Sequence, residues 1–145
     1  MNVTHVLKLK AASEVETITP QASIADAAQI LGDRSYGALI VTDGASGVVG
    51  IISERDIVRG IGKMGANALK QTVGDLMTPK VEHCTPDENV NSVMSRMTAG
   101  RFRHMPVMDQ GRLAGVLSIG DVVKARIMEI EQEKQAMEGM LAGQY

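Results

Sequence analysis

The sequence predicts an α/β fold made of two β-α-β-β-α repeats related by a pseudo-twofold axis, with an extended helix at the C-terminus. Three observations carry this. First, the chain is internally duplicated. Thr19-Pro20 recurs as Thr85-Pro86, Tyr36 as Phe102, and Val41-Thr42-Asp43 as Val107-Met108-Asp109, all at an offset of 66. Gly50-Ile51-Ile52-Ser53-Glu54-Arg55-Asp56 then recurs as Gly115-Val116-Leu117-Ser118-Ile119-Gly120-Asp121 at an offset of 65, one residue having been lost from the intervening turn. Second, strand-like and helix-like hydrophobic periods alternate in the same order within each copy. Third, 145 residues with 44% hydrophobic and 22% charged side chains are enough for a packed core without staples. Two like units in one chain imply equivalent clefts between them.

Each copy opens with a short strand, expected at Val15–Ile18 and Val81–Cys84, and Thr-Pro ends it because proline disfavours a helical residue before it. A helix follows. Ile24, Ala27, Ala28 and Leu31 stand at i, i+3, i+4 and i+7, and Val90, Val93, Met94 and Met97 keep the same register. Ser23 with Asp26 forms a capping-box variant, and Asp87 is the expected cap of the second helix. Two strands come next, at Leu39–Val41 and Val48–Ile52 around the turn-rich 42–47, and at Met105–Met108 and Leu113–Leu117 around Asp109-Gln110-Gly111. A second helix starts near Glu54 or Ile119. Between the copies, residues 60–74 carry four glycines and read as a helix end plus linker. The division expected is 1–70 for the first repeat with its N-terminal segment and linker, 71–130 for the second, and 131–145 for a helical tail. On that tail Val123, Ile127, Ile130, Lys134, Met137 and Leu141 form a heptad-like stripe.

Composition removes several function classes. The formal net charge is −2, from 15 basic and 17 acidic residues, so no global field favours nucleic acid. Aromatic content of 2% offers few platforms for stacking bases. The single cysteine, Cys84, leaves no internal disulfide and fits a reducing compartment. No apolar run reaches about 18 residues, and the first twelve residues lack a secretory pattern, so the expectation is a cytoplasmic protein without a membrane span. His83 and Cys84 fall short of a tetrahedral metal set, and no metal site is expected. Catalysis is not expected either. No spacing pairs a nucleophile with a base, and neither Gly-x-Gly-x-x-Gly nor a phosphate-loop lysine is present. Most of the ten methionines read as core filler, while Met128, Met137 and Met140 on the last helix could form an adaptable surface.

The chemistry concentrates at the repeated strand-to-helix junction, Gly-apolar-apolar-Ser-x-x-Asp. Its serine sits at an N-cap and its aspartate at the third helical position. By itself that is an ordinary capping box, stabilising by about 0.5–2 kcal/mol. The same place, however, gathers free N–H groups and positive partial charge, and a carboxylate there can accept two hydrogen bonds from a ribose diol.

Together with the Thr-Pro openings and the Arg103-His104-Met105-Pro106-Val107 strand, the doubled motif resembles a pair of cystathionine-β-synthase (CBS) domains of the free-standing bacterial type, across roughly residues 8–130. The resemblance implies a non-catalytic regulatory module that binds adenosine-containing ligands such as AMP, ADP, ATP, NAD(H) or S-adenosylmethionine between the repeats. No covalent cofactor is implied, and AMP is the favoured ligand. Carried over residue by residue, Asp56 and Asp121 hold ribose hydroxyls, with Ser53 and Ser118 beside ribose and phosphate. Thr19 and Thr85, or Thr17 in their place, line the adenine wall. Arg103 and His104, ahead of Pro106, form a basic pair facing phosphate. The first copy has Gly37 and Ala38 there, so Arg55 becomes its nearest phosphate candidate, while Gly120 offers only backbone in the second. The Asp121 cleft is therefore expected to bind nucleotide better than the Asp56 cleft. The resemblance also implies a homodimer and a separate effector protein. The competing reading is a structural or interaction protein with vestigial sites.

Overall fold

The computed structural model describes residues 1–10, 15–34, 36–44 and 47–143. Helix α1 (Val3–Leu9) leads into strand β1 (Thr17–Ile18), helix α2 (Ile24–Arg34), and the hairpin β2 (Ala38–Thr42) and β3 (Val48–Ser53), which runs into α3 (Glu54–Met64). A 3-10 turn (Gly65–Lys70), a short α4 (Val73–Leu76) and β4 (Thr78–Pro79) connect to α5 (Val90–Gly100), the hairpin β5 (His104–Asp109) and β6 (Arg112–Ser118), and the long α6 (Ile119–Leu141). The β-α-β-β-α order is present in both halves, although the opening strands are shorter than expected. The first is only Thr17–Ile18, parallel to β2. The second shrinks to a single bridge, Cys84 to Val107, held by Cys84 N–H to the Pro106 carbonyl (3.0 Å) and Met108 N–H to the Cys84 carbonyl (2.8 Å).

The hairpins follow their turn chemistry. Gln110 and Gly111 both have positive φ (51° and 79°), the geometry that lets a two-residue turn match strand twist. In the first hairpin Asp43 N–H closes the turn on the Gly47 carbonyl, while Ala45 and Ser46 lie outside the described residues. Helix α2 is capped by Ser23 Oγ on Asp26 N–H (3.1 Å). Asp87 does not cap α5. Asn89 does so, through Asn91 N–H (2.8 Å), and Asp87 instead takes the Thr85 hydroxyl at 2.6 Å.

The linker expected over residues 60–74 is built structure. It carries the end of α3, the 3-10 turn and the start of α4, whose Thr72–Asp75 capping box is complete. Two cores result. One gathers Ile24, Ala27, Leu31, Leu39, Val41, Ile52 and Ile57, and takes in Val73. The other gathers Val90, Val93, Met97, Met105, Val107, Leu117 and Val122, and takes in Val3 and Val6 of α1. Helix α1 thus does for the second repeat what α4 does for the first. Asn2 bridges Asn89 as Thr72 bridges Ser23, and Leu7 lies over Gly115 as Met77 lies over Gly50. Ile40 is fully buried on the face of β2 away from the first core, and its repeat equivalent Pro106 is buried likewise. These faces look toward the seam, where the His104 ring approaches Gly37.

Gly50 is required by this packing. A Cβ there would stand 2.6 Å from Met77 Sδ and 2.8 Å from the Thr78 carbonyl, so Gly50→Ala must displace backbone. It is expected to destabilise by about 1–3 kcal/mol. Gly32, in α2 with nothing within 4 Å of its would-be Cβ, is the control. Gly32→Ala should stabilise by about 0.5–1 kcal/mol through helix propensity and lost unfolded-chain entropy. Denaturant midpoints at unchanged slope check both.

Candidate functional site

A cavity of about 470 Å³ opens at the seam, and both repeats line it. The first contributes Val15, Glu16, Tyr36, Gly37 and Ala38, and the second contributes His104, Val116, Ser118 and Asp121. Helix α1 contributes Leu7 and Lys10. Asp121 is aimed by the start of α6. Ser118 N–H donates to its Oδ2 (2.8 Å), and Ser118 Oγ accepts from Asp121 N–H (3.1 Å). Oδ2 also receives the Lys10 ammonium at 2.8 Å, and that ammonium donates a second bond to the Val116 carbonyl at 2.7 Å. Oδ1 has no hydrogen-bond partner among the described residues. Burial alone would raise the Asp121 pKa, but the Lys10 bond and the Ser118 N–H outweigh it and hold the carboxyl below its usual range. The group is a carboxylate with one oxygen available to a ligand.

His104 stands between the two halves. Burial, reinforced by the charge of neighbouring Arg103, lowers its pKa and keeps the imidazole neutral at pH 7. It can offer one donor and one acceptor to the cavity but no net charge.

The Asp56 junction has the same backbone and different chemistry. Asp56 Oδ2 accepts from Ser53 N–H (2.9 Å) and from Ser53 Oγ (3.0 Å), while Oδ1 faces Thr78 Oγ1 at 3.4 Å and Arg59 at 3.9 Å. Its side chain is only 9% exposed, against 22% for Asp121. The seam cavity does not reach it. Both of its oxygens are engaged within the chain.

Of the residues singled out from sequence, the cavity brings together His104, Ser118 and Asp121. Ser53 and Asp56 form their own capped pair. Arg55, Arg103 and Gly120 are exposed and do not line the cavity. Pro106 is buried in β5. Thr17 is an exposed strand residue paired with Ile40, Thr19 is exposed, and Thr85 is spent locally on Asp87 and Glu88. The residue that sequence reasoning missed is Lys10. A signal existed: Asn2, Val3, Leu7 and Lys10 precede Thr72, Val73, Met77 and Lys80 by a constant 70 residues, just outside the recognised repeat. Among the described residues no cluster of three or more His, Cys, Asp or Glu side chains is placed to hold a metal. Cys84 is buried, with its thiol pushed up to about 11, so it is poorly reactive.

The family profile described as CBS domain matches residues 6–63 and again 73–127. A CBS domain-containing mitochondrial protein of Arabidopsis thaliana, CBSX3, is 35% identical over 131 residues, covering 88% of this chain and 64% of that protein. The chain thus spans under two thirds of that relative. The crystal structure of a CBS-domain containing protein from Agrobacterium tumefaciens superposes with a TM-score of 0.82 at 44% identity, covering 87% of this chain and 99% of the other. A structure of CBSX2 in complex with AMP superposes with a TM-score of 0.67 at 28% identity, covering 79% and 89%.

Proposed function

The chain belongs to the CBS domain family as a tandem pair, and from that premise we propose that it is a non-catalytic regulatory module sensing an adenine nucleotide at the Asp121 cleft. The observation that carries this reading is a carboxylate whose Oδ1 has no partner among the described residues, mounted on a helix N-terminus and facing a seam cavity large enough for a nucleoside. Asp121 takes the ribose hydroxyls, Ser118 lies beside the ribose, and Tyr36 and Val116 flank the base. AMP bound to a relative supports the ligand class, with ADP, ATP and NAD(H) sharing the adenosine half.

A ligand gripped by both repeats has different affinity for different angles between them and therefore shifts their populations. Readout passes through a homodimer or to a separate effector protein. Exposure of Val58 on α3 and of its repeat equivalent Val123 on α6, with Ile127 and Ile130 beyond, supports a second copy as the cover for these faces. Among the described residues no helix is long and apolar enough to cross a membrane, and we read the protein as cytoplasmic. The rival reading, a scaffold with vestigial sites, draws support only from the saturated Asp56 junction.

A thermal-shift panel tests the proposal. At 100 times its dissociation constant, a ligand bound only to the native state adds about 2.7 kcal/mol of stability. AMP should raise the melting temperature, with the protein sedimenting as a dimer. No shift with AMP, ATP or NAD(H) would favour the scaffold reading, and a monomer at every concentration would remove the dimer.

A further inference from the structure

Lys10 is the C-cap of α1, set outside both strand-helix motifs, yet its ammonium reaches the Asp121 carboxylate. Lys10 and Asp121 line two neighbouring cavities at once: the seam cavity, and a second of about 380 Å³ bounded by Val6, Leu9, Lys124 and Ala125. Their ion pair is the wall between the two. On the second side Lys124 adds another cation. Among the described residues the one other acidic side chain lining the seam cavity, Glu16, has Arg34 at 3.8 Å. The Asp56 junction has no such lysine: among the described residues its ion pair is with Arg59, and that at 3.9 Å.

We propose that Lys10 sets the ligand specificity of the Asp121 cleft. It pairs with the carboxylate until a ribose takes that place, then turns to the ligand's phosphate, so that the cleft selects phosphate-bearing nucleotides over uncharged nucleosides. This rests on the reading of the cleft as an adenosine site. To set a ribose diol across both carboxylate oxygens, an uncharged nucleoside must draw Lys10 off Oδ2, and it leaves the ammonium only its bond to the Val116 carbonyl. A nucleotide supplies the ammonium with a phosphate oxygen while its hydroxyls occupy Asp121, so the cation exchanges one anionic partner for another. Lysine suits the task because its charge is compact and its stem has four rotatable carbons. Longer phosphate chains run from Lys10 into the second cavity toward Lys124. The phosphate cation is thus a residue of the α1 terminus and not Arg103, which lies off the cavity.

Calorimetric titration of the full chain with AMP and with adenosine tests this in three forms: wild type, Lys10→Met and Lys10→Arg. Lys10→Met keeps the apolar stem and should weaken AMP by roughly 10- to 100-fold. Adenosine should bind Lys10→Met as well as or more tightly than wild type, because nothing then competes for Asp121. Lys10→Arg should keep the preference for AMP. Parallel weakening of both ligands in Lys10→Met would overturn the proposal, since it would mark Lys10 as a support of the cleft wall. AMP binding unchanged by Lys10→Met would overturn it as well, while leaving the cleft an adenosine site. Wild-type protein that binds neither compound would instead refute the adenosine reading, and the role of Lys10 with it.

Discussion

Asp121→Ala is expected to weaken AMP binding by roughly 100-fold, whereas Asp56→Ala should change it by less than about threefold. A ribose diol on an ionised carboxylate makes two charge-assisted hydrogen bonds, each contributing about 1.5–3 kcal/mol, and a loss near 3 kcal/mol in all is a factor of about 100. Asp121 can make those bonds because Oδ1 has no partner among the described residues and the Lys10 ammonium on Oδ2 can exchange that oxygen for a phosphate. Asp56 would first have to leave Ser53, Thr78 and Arg59. Both substitutions also remove a capping box, a stability loss of about 0.5–2 kcal/mol that they share and that does not distinguish them. Calorimetry well below the melting temperature separates binding from that loss. Equal weakening by the two substitutions would refute the asymmetry and place nucleotide at both junctions.

The second large effect concerns α1. Val3→Asp should cost about 3–5 kcal/mol and selectively loosen the second repeat. Val3 is fully buried in the core of Val90, Val93, Met97 and Leu117, where an aspartate would be surrounded by apolar side chains. The site cannot expel the charge without lifting α1 from the repeat it covers. Hydrogen exchange gives the spatial readout. Amides of α5, β5 and β6 should lose protection before those of β2 and β3. Uniform loss across both repeats would show that the cores unfold as one, and unchanged protection would show that α1 does not dock there. Because Lys10 ends α1, the same variant should weaken nucleotide binding as well, coupling the stability of one repeat to the affinity of the cleft.

How much was legible differs from element to element. The helices α2 and α5 and the hairpins were readable because their apolar residues repeat at fixed periods and neighbouring strands fix each other's register. The Ser-x-x-Asp junctions were readable because a cap has a local sequence signature. Strand Val81–Cys84 is shorter than its sequence suggests for the opposite reason: a four-residue tract gives no sign of whether a partner edge lies along its whole length. Asp87 reads as a helix cap from its residue type, but caps compete at close spacing, and the winner, Asn89, is settled by where the helix axis begins. The basic pair fared unevenly. Arg103 and His104 are adjacent, but Arg103 lies exposed in the bend just before β5, so of the two only His104 lines the seam cavity.

The amino-acid sequence on its own determined the duplicated α/β architecture and the two capped carboxylates at equivalent junctions, because repetition, periodicity and capping are properties of residues close together in the chain. The folded molecule alone decided that these twin junctions are chemically unequal. Lys10 and Thr78 meet Asp121 and Asp56 from 111 and 22 positions away in the chain, and no local pattern specifies which distant side chain will neutralise a given charge. That choice is made when α1 and α4 pack onto their cores and their ends fall beside one carboxylate or the other.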